Sequence, residues 1–438
     1  MTIHYDDSFS AFLKSLHDAG IDVSEAGGIV IRDMRGRLTF VAKAQLSSEV
    51  AERVEGSIDL DLRPYISPIG AISDQTAPGA ARIFAEPNPI KLNIDFGPQS
   101  DALPVRLLDR RAVGGDWLRP PVESPAKPPR LVFASFKGGV GRSTSLAVLS
   151  AEISTRGRSA LVIDLDLEAP GVGSMLVERD ATPTFGSIDF FVESALKPLD
   201  EVFITDCVGT SWVGTGKGRI DVIPALGSRS LDRPQGVLSK LARAYLDQPV
   251  EDGPSKTFLD KVRDLIERVT LLRRYDAVLV DARAGMHETT AAAILGLGAD
   301  VLLFGTAQPQ TQIGLELLLS HLALFPSTNE NHDWRDRLRI AQAKAEPHVL
   351  DIYRGLTFDI FDKYLYQHDG DPLENFSFGL EDESAPHYPV PIFEDERFRL
   401  FDPISERSQL TEDLYRNSFG RFLDFCVERL QLDEEYGC

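Results

Sequence analysis

Residues 131–145 read LVFASFKGGVGRSTS, and this stretch decides the fold. Leu131, Val132, Phe133 and Ala134 form an apolar run suited to a buried parallel strand. A glycine-rich turn follows, then a basic residue and two hydroxyls. From Ser143 onward, Leu146, Leu149 and Ile153 fall on one helical face until Gly157 ends the run. Strand, loop and helix are therefore contiguous, which gathers backbone N–H groups and the positive end of a helix dipole at one point and favours a polyanion. Gly138, Gly139 and Gly141 allow close backbone approach to phosphate, Arg142 supplies charge, and Ser143 or Thr144 offers a hydroxyl to Mg²⁺.

Two further stretches end apolar strands in acids. SALVIDLDLEAPG places Asp164 and Asp166 at a strand's carboxyl end, and YDAVLVDARAG does the same for Asp281. In open α/β sheets that edge holds the ligand. A carboxylate there can hold metal-bound water, and a second can orient a water that attacks phosphate.

The loop departs from the ordinary G-x-x-x-x-G-K-[ST] pattern: Arg142 stands where lysine is expected, and a lysine, Lys137, precedes the glycines. That layout resembles the deviant Walker A loop of the ParA/MinD ATPases, and most closely a bacterial subset whose motif reads KGGVGR. The resemblance covers residues 129–347 well, the remainder to Cys438 loosely, and the first part of the chain not at all. It implies an α/β fold with a doubly wound, mostly parallel sheet, ATP and Mg²⁺ as cofactors, and a slowly hydrolysing molecular switch. By the same resemblance Lys137, Gly138, Gly139, Val140, Gly141, Arg142, Ser143, Thr144 and Gly285 bind the nucleotide. Ser143, Asp164 and Asp281 serve the metal, Asp281 through water, while Asp166 activates the attacking water. Lys137, still leaving the strand, is expected to point outward and reach the nucleotide of a second subunit, giving a nucleotide-dependent homodimer. Arg283 stands where the family often has proline and is expected to pair with an acid such as Glu288. In 338–347 the family's Asn-containing base-recognition pattern is absent, so the base is left unread.

Two alternatives stay open. A nucleotide-binding scaffold that does not hydrolyse is favoured by Arg142, and a bacterial tyrosine kinase is disfavoured by a tail with only Tyr415 and Tyr436.

Length and composition bound the rest. The 438 residues suffice for two domains, and 43% hydrophobic residues suffice for ordinary cores. A net charge of −21 repels nucleic-acid backbones and anionic lipid, so neither is an expected partner. Without a signal pattern or membrane span, a cytoplasmic location is expected. The three cysteines, Cys207, Cys426 and Cys438, are too scattered for a disulfide framework. His287 reads as a polar loop residue, and the identity of a protein partner is not legible.

In chain order, residues 1–129 are expected to form a small α+β domain ending in a proline-rich linker. It comprises a helix carrying Phe9, Phe12, Leu13 and Leu16, a hairpin around Met34–Gly36, and strands at ARIFAE and IKLNIDF. Residues 130–438 form the nucleotide-binding domain. Residues 348–391 show no clear periodicity and read as an insertion. The amphipathic segment Arg416–Leu432 is expected to pack on its own domain, because its polar face carries Asp424 and Glu428 rather than the bases an interfacial helix needs.

Overall fold

The computed structural model describes residues 2–86, 89–96, 102–111, 113–214, 218–248, 255–327, 333–367 and 376–433. Tyr436, Cys438 and part of the expected insertion lie outside the described residues. The chain divides into two compact units, Met1–Arg119 and Pro120–Cys438.

The first unit opens with the helix Tyr5–Asp18, whose Phe9, Phe12, Leu13 and Leu16 are all buried at the i, i+3, i+4, i+7 spacing of a helical stripe. Strands β1 (Gly28–Arg32) and β2 (Leu38–Ala42) form the hairpin, with Gly36 at φ 84° in its turn. With β3 (Ile72–Asp74), β4 (Ile90–Ile94) and β5 (Leu103–Asp109) they make a mixed sheet ordered β3-β2-β1-β5-β4. One expectation is corrected here: ARIFAE lies in a short helix, Ala80–Phe84, not a strand. Gly79 at φ 85° starts it, and two successive alanines favour the helix over the pleat that Ile83 and Phe84 suggest. A second helix, Ser48–Ser57, is capped by the Ser47 side chain, which accepts from the Val50 N–H.

The second unit is built on eight strands: β6 (Arg130–Ser135), β7 (Ser159–Asp164), β8 (Gly209–Thr210), β9 (Arg219–Ile223), β10 (Ala277–Ala284), β11 (Asp300–Gly305), β12 (Leu338–Ala345) and β13 (Val390–Phe393). Their order is β13-β12-β11-β6-β10-β7-β9-β8, and every pairing is parallel except β8 with β9. The chain runs from β6 outward to β9, returns through β10, and continues on the other side with β11 to β13. This is the doubly wound α/β arrangement, and its strands read as continuous apolar runs because both faces are covered.

Alternate residues on each strand serve the two faces. Phe133, Val162, Leu279 and Phe304 join the core under the loop helix, Arg142–Thr155, and the C-terminal helix, Glu412–Arg429. The C-terminal helix packs Phe422 edge-on against Phe133 and Phe304, so its apolar face belongs to its own sheet. Helices Phe258–Leu272 and Glu288–Gly296 cover the other face. Among the described residues no helix is long and apolar enough to cross a membrane.

Residues 348–391 are not an unpatterned insertion. They hold the helix Leu350–Tyr364 and lead into β13. Its buried stripe is Tyr353, Thr357, Ile360 and Phe361, which a polar threonine and the exposed Ile352 disguise in the sequence. The proline-rich stretch is extended but belongs to the second unit from Pro120 onward: the N–H of Val122 donates to Leu295 O at 2.8 Å, that of Ala126 to Gly298 O at 2.8 Å, and Arg337 donates to the carbonyls of Val122 and Glu123.

Candidate phosphate site

The strand register decides what meets at the carboxyl edge. β10 lies between β6 and β7, with Asp281 level with Phe133 on one side and Asp164 on the other. Two acids from distant motifs are thereby adjacent, directly beside the loop that leaves β6.

That loop spans 136–141. Gly139 and Gly141 have φ 75° and 79°, a left-handed conformation that side chains with a Cβ rarely adopt. A Cβ added at either, or at Gly138, would meet nothing within 4 Å, so the loop's outer side is open. Val140 turns the other way and is buried in the core below, anchoring the loop by packing while its backbone stays in the turn. The helix then starts at Arg142.

Arg142 is the hub. Its Nε donates to Asp281 Oδ1 at 2.5 Å, one terminal nitrogen to Asp166 Oδ2 at 2.9 Å, and the other to Ser135 Oγ at 3.2 Å. The expected contact of this side chain was phosphate; here it is tied to carboxylates on two strand ends. Burial works against the charged guanidinium, but Asp281 and then Asp166 outweigh it and raise its pKa. Of the two candidate hydroxyls the structure brings Ser143 to the acid, its Oγ donating to Asp281 Oδ2 at 2.5 Å; Thr144 is half-buried next to it.

The three acids differ in their surroundings. Asp164 is fully buried and accepts the N–H groups of Asp166 at 3.0 Å and Gly171 at 3.2 Å, so it shapes the loop that carries Asp166. Burial, with Asp281 adjacent, pushes its pKa well above the carboxylate range. Burial also pushes Asp281 up, against the pull of Arg142 and Ser143. Asp166 receives the Ala169 N–H on its second oxygen at 3.3 Å.

The remaining expected residues ring this cluster. Gly285, at φ 87°, donates its N–H to Ser135 O at 2.8 Å, closing the second acidic loop onto the end of β6. Lys137 is half-buried, and its Nζ donates to Gln308 Oε1 at 2.6 Å in a solvent-exposed hydrogen bond across to the segment after β11. Arg283 pairs with Glu168 rather than with Glu288, both terminal nitrogens lying 2.5 Å from its carboxylate oxygens, because the two acidic loops face one another. His287 caps the helix Glu288–Gly296, its Nδ1 accepting from Thr289 N at 3.4 Å. Ser135, Glu168 and Gln308 are site residues the sequence reading did not single out; Ser135 and Glu168 stand inside quoted motifs and Gln308 outside them, and only the fold shows what each faces.

Mg²⁺ prefers hard oxygen donors and is usually held by one or two protein groups with substrate phosphates and water. Ser143 and Asp281 fit that mode. Among the described residues no group of three or more His, Cys, Asp or Glu side chains is arranged as an all-protein metal site.

Neither a protein-family model nor a curated protein matches the chain. Solved structures do. A ParA family ATPase from Chlorobium tepidum TLS is 16% identical, with 68% of this chain and 98% of that one covered at a TM-score of 0.43. The MinD cell division protein of Aquifex aeolicus is 16% identical over 68% and 97%, at 0.42. The pNOB8 ParA, in a structure bound to nonspecific DNA, is 14% identical over 70% and 100%, at 0.40.

Proposed function

We propose that the second unit is a Mg²⁺-ATP-binding molecular switch that hydrolyses slowly and couples nucleotide binding to homodimerisation and to control of a protein partner. The observation that carries this is the convergence of the loop 137–144 with Ser143, Asp166 and Asp281 at the carboxyl edge of the three central strands. In this reading the loop amides and the helix N-terminus hold the phosphates, and Arg142 supplies positive charge to them. Ser143 and Asp281 would hold the metal, which supplies charge neutralisation at the transferred phosphoryl group. Asp166 orients and deprotonates the attacking water, and Asp164 fixes the loop on which Asp166 stands. Lys137 is free to exchange Gln308 for a phosphate of a second subunit, because the pair is solvent-exposed and weakly held.

One observation favours a second reading, a nucleotide-binding scaffold without turnover: Arg142 occupies an oxygen of Asp166, the group assigned to water. Phosphate release from ATP, measured in single-turnover conditions beside an anti-phosphotyrosine blot, separates switch, scaffold and kinase. The acidity of the chain weighs against nucleic acid as the partner, and a low-salt gel shift tests that independently.

A further inference from the structure

Every carboxylate oxygen of Asp166 and Asp281 has a partner within the chain: Asp281 has Arg142 and Ser143, and Asp166 has Arg142 and the Ala169 N–H. One buried guanidinium thus balances two carboxylates from two strand ends, with Asp164 buried alongside. A lysine at this position has a single nitrogen and cannot span both acids with a rigid fork; arginine can. We infer that Arg142 is the resident counter-cation of this carboxylate cluster, competing with divalent metal for Asp281, occupying Asp166, and holding the site latched until phosphate draws the guanidinium away. This deepens the switch reading, on which its nucleotide half rests. Loading is then an exchange: phosphate takes Arg142, Asp281 is freed to hold the metal that would arrive with the nucleotide, and Asp166 is freed to meet water. Metal without nucleotide finds Asp281 already engaged by the guanidinium.

The test uses the full chain and Mn²⁺ alone as the probe, read by electron paramagnetic resonance of the free ion. Wild type is expected to bind Mn²⁺ about ten- to a hundredfold more weakly than Arg142→Met, the factor that one or two charge-assisted contacts supply. Arg142→Lys, which keeps one positive charge in the core should the methionine variant not fold, is expected to fall between them. Wild type binding Mn²⁺ as tightly as the folded variants would overturn the competition. The nucleotide half is read with a fluorescent ATP analogue in excess EDTA. Asp166→Ala, which removes one competitor for Arg142, is expected to bind it about tenfold more tightly than wild type, and unchanged or weaker binding overturns the exchange. Failure of every form to bind the analogue would sink the nucleotide reading, while the Mn²⁺ comparison still decides whether Arg142 is the counter-cation.

Discussion

Asp300, the first residue of β11, offers a quantitative check on the electrostatics of the second unit. Its side chain is 20% exposed and lies 3.5 Å from Arg429, yet burial outweighs Arg429 and Arg337 and lifts its pKa from 3.8 to about 6. The folded state therefore binds this proton more tightly than the unfolded chain does. The stability it contributes is full below the unfolded value and is lost as pH rises through about 6. Ionised, Asp300 costs about 3 kcal/mol relative to its protonated form, of which about 1.4 kcal/mol is lost between about pH 5 and about pH 8. Asp300→Asn has no such proton. Whatever its own packing effect, its stability relative to wild type should rise by about 1.4 kcal/mol over that pH range. Urea unfolding of both proteins at the two pH values measures this, with the second unit's transition fitted separately. A difference that stays constant, or that falls with pH, would refute the reasoning.

Three further outcomes are expected. Lys137→Ala removes an exposed contact and should change stability by less than about 0.5 kcal/mol. It should also leave the chain monomeric with Mg²⁺-ATP in sedimentation velocity, because losing a charge-assisted contact in each half weakens a dimer by about two to four powers of ten; identical profiles for wild type and variant count against the crossed lysine. Asp166→Ala should retain ATP in equilibrium binding and lose at least about a hundredfold in single-turnover hydrolysis; an unchanged rate makes Asp166 a structural acid. Tyr415→Phe removes the buried hydrogen bond from the C-terminal helix to Glu152 of the loop helix, 2.9 Å long, and should cost about 1.5–3 kcal/mol in urea unfolding with ATP affinity unaltered.

Much of the second unit is written in local pattern. A parallel strand covered on both faces needs an uninterrupted apolar run, and a loop with φ above zero needs glycine, so β6, β7, β10 and their loops declare themselves over a dozen residues each. What no local pattern carries is who sits next to whom. Asp164 stands beside Asp281 because β10 inserts between β6 and β7, a register more than a hundred residues in the making. The same is true of Arg142 on Asp166 and Asp281, and of Arg283 on Glu168: the residue types are visible, and the partners are products of topology. The helix Leu350–Tyr364 was hidden for another reason, since Thr357 in its buried stripe bonds to the backbone and to His387 O at 2.9 Å and so behaves as a core residue despite its hydroxyl. In the first unit, the Ala80–Phe84 helix is too short for periodicity to separate it from a strand.

The central claim is that the loop 137–144 holds nucleotide phosphates, and calorimetric titration of Mg²⁺-ATP into wild type and Gly141→Val tests it most directly. Gly141 has φ 79° at the mouth of the loop helix, where a β-branched residue is strained and stands in the space a phosphate would enter. Wild type should bind one ATP per chain with a dissociation constant at or below about 100 µM, and the variant, folded by circular dichroism, should bind at least about a hundredfold more weakly. Absence of binding by wild type at millimolar ATP, or equal affinity in the two proteins, would contradict the account.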